Sequence, residues 1–458
     1  MIVPQNRLLL WIALVVLPFA LLAAIEPAAA PVALGLIVGL MFVAALDALS
    51  AGRGLAGIGA ALPDVVRMSK DREAKFEVRL RNERQRACRL RVGLALPPEV
   101  ESASEAMDVV MPKGSEWSRL LWTCVPRKRG SYALDAVYLE GASPLGFWAA
   151  RKRVAAQAEL RVYPNLLTER KNLAALFLNR GVFGTHAQRQ VGRGREFEKL
   201  REYVPGDSYD EVHWKATARR GHPITKVFQI ERTQEVYVVI DTSRLSAREP
   251  VSSSPTVGSV GVETRNSEPG TSTLERFVTA ALVLGLAAEQ QGDLFGLITF
   301  ADRIGRFVRA KNGKAHYGAC RDALYTMQPQ LVSPDFDELC TFIRLRLRRR
   351  ALLVFLTSLD DPALAEGFVR NAEVLRHQHL VLVNMLQPRS AVPVFTNPSV
   401  ATLDDLYEHL GGHLQWHRLR ELEKVLQRRG VHFSLLSNER LSAELVSQYL
   451  SVKRRQLL

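Results

Sequence analysis

The chain has 458 residues, of which 47% are hydrophobic, so it is too long for one ordinary domain and has apolar material for several cores. Its 61 Lys and Arg against 47 Asp and Glu give a net charge of +14, which suits an anionic surface such as a membrane leaflet. The cysteines are widely scattered, at Cys88, Cys124, Cys320 and Cys340, without a C-x-x-C pair. This spacing argues against a zinc site or a disulfide framework and favours reduced thiols in the cytosol.

Two uncharged apolar segments, 8–25 and 28–46, lie near the N-terminus and are separated only by Glu26 and Pro27. Each is close to the length that crosses the hydrocarbon core, so the pair predicts a transmembrane helical hairpin within residues 1–53. A cleaved signal peptide ending near Ala30 is the less favoured alternative, because a second apolar segment follows directly.

Basic residues flank the predicted hairpin, and its turn has none. By the positive-inside rule both ends then lie in the cytosol, so we expect a multi-pass protein of the cell inner membrane whose soluble domains face the cytoplasm. The flanking residues are Arg7, Arg53, Arg67 and Lys70.

Residues 61–165 contain short segments in which apolar and polar residues alternate, for example at Phe76, Val78 and Leu80. Turn-forming clusters such as Pro97-Pro98 separate these segments. The pattern predicts an all-β sandwich domain, and it contains no catalytic constellation.

Residues 235–458 alternate apolar runs with helical patterns, which predicts an α/β doubly wound domain. A stretch rich in Ser, Pro, Gly and Thr, 247–273, is predicted to be a flexible insertion. The predicted strands are 236–240, 294–300, 351–357, 380–385 and 431–436, and the clearest predicted helices are 274–291, 362–377, 416–429 and 443–455.

Residues 190–234 lie between these domains and predict a helix, a turn, a second helix and a strand. Phe197, Leu200 and Val204 share one helical face up to Pro205. A capping box of Ser208 and Glu211 would start the second helix. A connector packed against the sheet edge explains the same local pattern.

This segment resembles the signature of a family of bacterial membrane proteins, domain-of-unknown-function family fifty-eight. The signature reads G-x-E-F-x-x-L-R-x-Y-x-x-G-D, then W-x-x-[ST]-A-R, then a strand that ends in D-x-S. The matching residues are Gly194, Glu196, Phe197, Leu200, Arg201, Tyr203, Gly206 and Asp207, then Trp214, Thr217, Ala218 and Arg219, then Asp241 and Ser243.

The resemblance implies that the C-terminal half is similar to a von Willebrand factor A domain, and that a MoxR-type AAA+ ATPase is a partner. Such domains often hold a divalent metal with an Asp-x-Ser-x-Ser loop and further ligands at the carboxyl ends of strands. Asp241, Ser243 and Asp360 would be the centre of a Mg²⁺ site here. Because Leu245 stands where the second serine belongs, we expect a degenerate, metal-free site, with Mg²⁺ binding as the alternative.

Two other functions have weaker support in the sequence. A metal-dependent hydrolase would use Asp207, Asp210, His213 and His222, whose spacing matches no metal-ligand pattern. The arginine run 344–350 has no interleaved aromatic residues, which favours a membrane leaflet or an acidic partner over nucleic acid. No phosphate-binding or nucleophile-elbow motif indicates a small-molecule substrate.

The sequence therefore predicts a membrane-anchored, non-catalytic interaction protein. Its expected partners are membrane lipid and a MoxR-type AAA+ ATPase, in the assembly or maturation of protein complexes or in a cell-envelope function.

Overall fold

The computed structural model describes residues 1–25, 30–167, 169, 191–205, 209–229, 234–248, 272–388, 390–394 and 402–455. The chain divides into two compact units, Met1–Asn165 and Leu166–Leu458.

The N-terminal apolar residues form helices. Helices α1 (Asn6–Trp11) and α2 (Leu17–Ile25) are joined by a π-helical turn, Ile12–Val16, and α3 covers Ala30–Gly54. Within α3, Ala30–Ala51 is 22 residues long and apolar enough to cross a membrane, whereas the first apolar helix, Asn6–Leu22, is shorter. One N-terminal apolar helix of spanning length is therefore confirmed, and the second span of the hairpin stays a prediction.

The rest of the first unit consists of two largely antiparallel sheets that share one core. One sheet has the order β1-β10-β9-β5-β7, with β3 beside β10, and the other has the order β2-β4-β8-β6. The strands are β1 Ile2–Pro4, β2 Ile58–Ala61, β3 Val65–Ser69, β4 Ala74–Asn82, β5 Cys88–Leu94, β6 Val100–Ser102, β7 Ala106–Met111, β8 Trp117–Pro126, β9 Gly130–Ala142 and β10 Trp148–Tyr163.

The alternation seen in the sequence decides which side chains enter this core. Phe76, Val78 and Leu80 are buried along β4, while the charged residues between them face outward. Trp122 on the neighbouring β8 is fully buried, and its indole N–H donates to Ser102 Oγ at 3.0 Å. The large aromatic side chain is thus buried with its polar atom satisfied.

A buried carboxylate joins the end of α3 to the turn between β9 and β10. Asp47 Oδ2 accepts from Ser143 Oγ at 2.5 Å and from the backbone N–H of Phe147 at 3.2 Å, and Oδ1 accepts from the N–H of Leu145 at 3.1 Å. One turn earlier, the indole N–H of Trp148 donates to the carbonyl of Ala44 at 2.8 Å. The last turns of α3 are therefore held against the β strands of the same unit.

The second unit contains a six-stranded sheet of order β15-β14-β13-β16-β17-β18, parallel except for the edge strand β15. Its strands are β13 Glu235–Asp241, β14 Leu294–Phe300, β15 Ile304–Lys311, β16 Leu352–Leu356, β17 Leu380–Leu386 and β18 His432–Leu436. Its helices are α5 Thr273–Gln290, α6 Lys314–Leu324, α7 Phe336–Arg346, α8 Pro362–Arg376, α9 Leu403–Arg428 and α10 Leu441–Arg455.

The five strands predicted from apolar runs are confirmed to within two residues, because parallel strands covered on both faces are apolar throughout. Separate core clusters fill the two faces of the sheet. Helix α9 begins 13 residues before the predicted 416, and β15, α6 and α7 were not predicted. The predicted insertion lies outside the described residues between Arg248 and Ser272.

The segment 190–234 departs from its prediction at the first helix. Val191–Glu202 is a strand, β11, which pairs antiparallel with β12, Ile224–Gln229. The helical spacing of Phe197, Leu200 and Val204 was therefore misleading, because pairing with a partner strand decides the local structure. A second helix is present, α4 at Trp214–Arg220, and it ends at Gly221 with φ +75°, as predicted. Its predicted start was wrong, because Glu211 lies in a separate 3₁₀ turn, Tyr209–Glu211, and His213 caps the helix.

Candidate functional site

The strand order places a topological switch point at the carboxyl end of β13. Strands β14 and β16 flank β13 on opposite sides, so the chain leaves β13 towards one neighbour and later returns to the other. In open α/β sheets the carboxyl ends of strands at such a switch point are where ligands bind. Asp241 is the last residue of β13 and stands at this point.

Asp241 is fully buried, and both of its carboxylate oxygens are bound by the chain itself. Oδ1 accepts from the backbone N–H of Ser243 at 2.8 Å, and Oδ2 accepts from Thr357 Oγ1 at 2.7 Å. Burial raises the pKa of the Asp241 carboxyl, and these hydrogen bonds from Thr357 and Ser243 act in the opposite direction.

The residues after Asp241 form a short 3₁₀ turn, Arg244–Ala247. Hydroxyl groups in and just before this turn form hydrogen bonds with its backbone. Ser243 Oγ caps the turn by accepting from the N–H of Leu245 at 3.3 Å. Ser246 Oγ donates to the carbonyl of Ser243 at 2.8 Å, and Leu245 is buried. The loop after Asp241 is therefore held in place by hydrogen bonds within the loop.

Asp360, the second predicted carboxylate, binds an arginine. Its Oδ2 accepts from Arg248 Nη1, while its Oδ1 is buried without a hydrogen-bond partner among the described residues. Arg248 also receives two hydrogen bonds at its carbonyl from Thr273, at 2.7 Å from N–H and 2.8 Å from Oγ1. The guanidinium therefore supplies positive charge beside Asp360.

These side chains do not fit a Mg²⁺ ion as they are arranged. Mg²⁺ requires near-octahedral oxygen ligands, whereas both oxygens of Asp241 already accept hydrogen bonds and the Ser246 hydroxyl faces the backbone. Leu245 offers no ligand atom, and Arg248 already neutralises Asp360. Across the described residues, no group of three or more His, Cys, Asp or Glu side chains could hold a metal.

Two members of this site were not anticipated as site residues. Thr357 follows the buried strand β16 and donates to Asp241, and its place at the carboxyl end of a neighbouring strand was a readable signal. Arg248 borders a segment without periodicity, so nothing in the sequence linked it to Asp360.

The signature residues lie mostly on β11 and α4. Gly194, Glu196 and Phe197 belong to the backbone of β11, while Gly206 and Asp207 lie outside the described residues, as does Ser208 of the expected capping box. Thr217 Oγ1 accepts from the N–H of Ile224 at 3.0 Å, and Ala218 and Arg219 are exposed. The Arg201 guanidinium donates to the carbonyl of Glu202 at 3.2 Å, and the ring centroids of Tyr203 and Tyr209 lie 6.1 Å apart.

Several apolar side chains of this segment are exposed. Leu200 is 40% exposed, Trp214 68% and the neighbouring Tyr209 75%. The signature therefore does not serve only to fill a core in this unit.

The residues of the hydrolase alternative do not converge in the described structure. His213 caps α4, because its Nδ1 accepts from the N–H of Ala216 at 3.0 Å. His222 Nε2 lies 3.5 Å from Glu202 Oε1. Asp210 is exposed, and Asp207 is outside the described residues.

A mixed sheet with separate cores on its two faces and a polar loop after β13 defines an open, doubly wound α/β unit. Residues 199–395 match the family described as "Protein of unknown function DUF58". The match begins inside the signature segment and covers less than half of the chain, and it agrees with the resemblance that the signature indicated.

Curated relatives include the uncharacterized proteins Rv1480 of Mycobacterium tuberculosis and Mb1516 of Mycobacterium bovis. Each is 25% identical to this chain over 209 residues, which is 45% of this chain and 59% of the relative. The chain thus spans about three fifths of the length of the relatives that it matches.

Solved structures with similarity include an aerotolerance-related membrane protein from Bacteroides fragilis, at 14% identity and a TM-score of 0.30 over 48% of this chain and 99% of that one. BatB from Bacteroides thetaiotaomicron matches at 15% identity and a TM-score of 0.30 over the same shares. A mussel byssus protein with a zinc-occupied MIDAS motif matches at 14% identity and a TM-score of 0.22, over 34% of this chain and 36% of that one.

Proposed function

We propose that this chain is a multi-pass protein of the bacterial inner membrane that carries a non-catalytic interaction module on the cytoplasmic side. We further propose that it works with a MoxR-type AAA+ ATPase in the assembly or maturation of protein complexes or in a cell-envelope function. The metal-free loop at Asp241 and the exposed signature segment would be parts of that module.

Contacts at both ends of the apolar segment support a hairpin with two crossings. Before the first helix, Ile2–Pro4 pairs antiparallel with β10, and the N–H of Gln5 donates to the carbonyl of Phe147 at 2.8 Å. After the second, Asp47 of α3 binds the turn that contains Phe147. The chain therefore enters and leaves the apolar segment at one side of the same unit, as a hairpin requires.

The arrangement of the β strands in this unit supports a β-sandwich. This domain would present partners near the membrane. Sheets β1-β10-β9-β5-β7 and β2-β4-β8-β6 face each other across the core that contains Trp122. Because Asp47 and Trp148 bind this domain to α3, it would be held beside the bilayer without a flexible linker.

The exposure of Trp214 is the observation that carries the interaction proposal. A tryptophan that is 68% exposed loses the hydrophobic stabilisation that burial would give it. Tyr209 and Leu200 of the same segment are also exposed, and exposed apolar side chains of this kind are what protein partners cover. The Asp241 loop supports the same interpretation, because the Asp241 carboxylate is taken up in hydrogen bonds that hold the loop to the end of β16.

Copurification of the full-length chain from membranes tests the proposal. We expect an AAA+ ATPase to be recovered with the wild type, and Trp214→Ser to reduce its recovery at least tenfold, as removal of a buried aromatic anchor does at interfaces. Trp117→Ser is a matched control, since Trp117 is also exposed, at 51%, but lies on β8. Failure to recover any AAA+ ATPase, or equal loss with both variants, would contradict the proposed partnership.

A further inference from the structure

The amino edge of the parallel sheet carries a concentration of exposed arginines. The strands β16, β17 and β18 are parallel neighbours, so the loops that precede them lie side by side. We call the following residues of these loops and of the preceding helix ends the basic edge: Arg346, Arg348, Arg349, Arg350, Arg376 and Arg428, all exposed.

Contacts between the loops make this edge one continuous surface. Gln378 Nε2 donates to the carbonyls of Leu347 and Arg348 at 3.1 and 3.2 Å, which joins the loops before β17 and β16. Arg429 Nη1 binds Glu373 Oε2 at 2.7 Å, which joins the ends of α9 and α8.

The carboxylates near the basic edge are already paired, so a positive surplus remains. Glu373 binds Arg429, and Glu235 Oε1 lies 3.9 Å from Arg349 Nη1. Within the described part of the chain, no carboxylate pairs with Arg348, Arg376 or Arg428. Basic residues in a last helical turn stabilise the helix dipole, which explains Arg346, Arg376 and Arg428 but not the three consecutive arginines after α7.

Exposed aliphatic side chains stand among these arginines. Leu345 is 71% exposed between Arg344 and Arg346, Val374 is 44% exposed near the end of α8, and Val425 is 39% exposed near the end of α9. Arginines mixed with exposed aliphatic residues suit the headgroup region of a bilayer, where charge binds phosphate and the aliphatic group enters the acyl boundary. The described loops before β16, β17 and β18 contain no Phe, Tyr or Trp that could stack on nucleic acid bases.

We propose that the basic edge docks the α/β unit onto the anionic leaflet of the membrane that holds the N-terminal helices. The inference rests on the membrane anchor proposed above, since anchoring keeps that leaflet at high effective concentration. It does not depend on the ATPase partner. The carboxyl edge, with Asp241, would then point away from the lipid.

The test uses the full chain in nanodiscs of phosphatidylcholine alone or mixed with phosphatidylglycerol. An environment-sensitive dye is attached to Leu345→Cys in a Cys88→Ser background. The remaining thiols are buried, which raises the pKa of Cys124 and Cys320 to about 11 and of Cys340 to about 12, so they stay protonated and unreactive. A second preparation carries the dye at Arg303→Cys on the carboxyl edge, where Arg303 is highly exposed.

We expect anionic lipid to shift the emission of the dye at residue 345 to shorter wavelength and to leave the dye at residue 303 unchanged. Replacing Arg348, Arg376 and Arg428 by Gln should weaken docking on the order of a hundredfold, and added salt should reverse the shift. The same change at Arg244, Arg303 and Arg306, exposed on the carboxyl side, is the charge-matched control and should leave docking intact.

Equal spectra in both lipid compositions, from chains that are incorporated in the discs, would overturn the docking proposal. A shift caused by added single-stranded nucleic acid but not by anionic lipid would also overturn it. Failure of the chain to enter discs of either composition would instead contradict the membrane anchor on which the proposal rests.

Discussion

Two buried aspartates, one in each unit, have carboxylates that accept hydrogen bonds from the chain on both oxygens. Asp47 accepts three hydrogen bonds from the turn between β9 and β10, and Asp241 accepts two from Ser243 and Thr357. Both are nearly inaccessible to solvent. No family pattern suggests a ligand for Asp47, and yet its carboxylate is bound at least as completely as that of Asp241.

The comparison shows that a buried, fully hydrogen-bonded carboxylate is sufficient to join two elements of a fold. Asp47 joins α3 to a β turn, and Asp241 joins the loop after β13 to the end of β16. A metal is not needed to explain the position of either side chain. Substitutions at the two aspartates and at neighbouring residues measure how far this similarity between Asp47 and Asp241 extends.

The largest effect is expected for Asp47→Ala. The variant leaves the Ser143 hydroxyl and the N–H groups of Leu145 and Phe147 without their acceptor, at about 3 kcal/mol or more of unfolding free energy. Thermal unfolding of the full chain in detergent measures the loss. Asp64→Ala, at an exposed position of the same unit, should stay within about 0.5 kcal/mol of the wild type, and an equal loss in both would contradict the role assigned to Asp47.

Asp241→Ala should cost less, about 2 kcal/mol, because two donors lose their acceptor instead of three. A loss larger than that of Asp47→Ala would indicate that Asp241 has a further bound partner.

The pH dependence of Asp241→Asn provides a sharper comparison. The raised pKa means that the folded protein holds the Asp241 proton more tightly than the unfolded chain does. Ionisation of Asp241 therefore lowers the stability of the folded protein as pH rises from the usual pKa of 3.8 through the raised pKa. Above the raised pKa the full loss of stability remains. Asparagine does not ionise and loses no stability in this way. The melting temperature of the variant should therefore rise relative to that of the wild type as pH increases over this range. A difference that does not change with pH would contradict the direction of the shift.

Arg248→Gln tests whether the guanidinium occupies the role of a cation at Asp360. The ion pair is partly exposed at Arg248, so we expect a loss of only about 1 kcal/mol. The variant leaves the Asp360 carboxylate without its cation, but Asp241, Ser246 and Leu245 keep their arrangement, so Mg²⁺ should not raise the melting temperature of the variant or of the wild type. Arg244→Gln, an exposed arginine of the same loop, should behave as the wild type does, and a Mg²⁺ response in Arg248→Gln alone would contradict the misfit of this site to Mg²⁺.

The smallest effect is expected for Trp148→Phe, which removes one hydrogen bond to the carbonyl of Ala44 and keeps most of the ring packing. Its cost should be about 0.5–1 kcal/mol in the same thermal assay. A loss close to that of Asp47→Ala would show that the indole, and not the carboxylate, holds α3 to the β strands.

The parallel strands were predicted well, because strands buried on both faces consist of continuous apolar runs such as 294–300. The half-exposed edge strand β15 lacks such a run and was missed. The first half of α9 was missed because Gly411-Gly412 interrupts the pattern. Gly412 is required there, since a Cβ would lie 1.9 Å from the carbonyl oxygen of Ser390.

The candidate site was predictable only in part. The position of Asp241 was predictable, because the apolar run before it predicts the strand that ends at this residue. Thr357, 116 residues from Asp241, could have been found from its place after β16, but the partner of Asp360 could not, because Arg248 lies 112 residues away beside a segment without periodicity. Local spacing also failed for Val191–Glu202, where the strand is fixed by its pairing with Ile224–Gln229.

Calorimetric titration of Mg²⁺ and Mn²⁺ into the chelator-treated full chain, with Asp241→Asn beside the wild type, tests the metal-free site most directly. We predict no saturable heat for either protein, since the oxygens of Asp241 are already bound by Ser243 and Thr357. Saturable binding of one ion per chain in the wild type, lost in Asp241→Asn, would contradict the account.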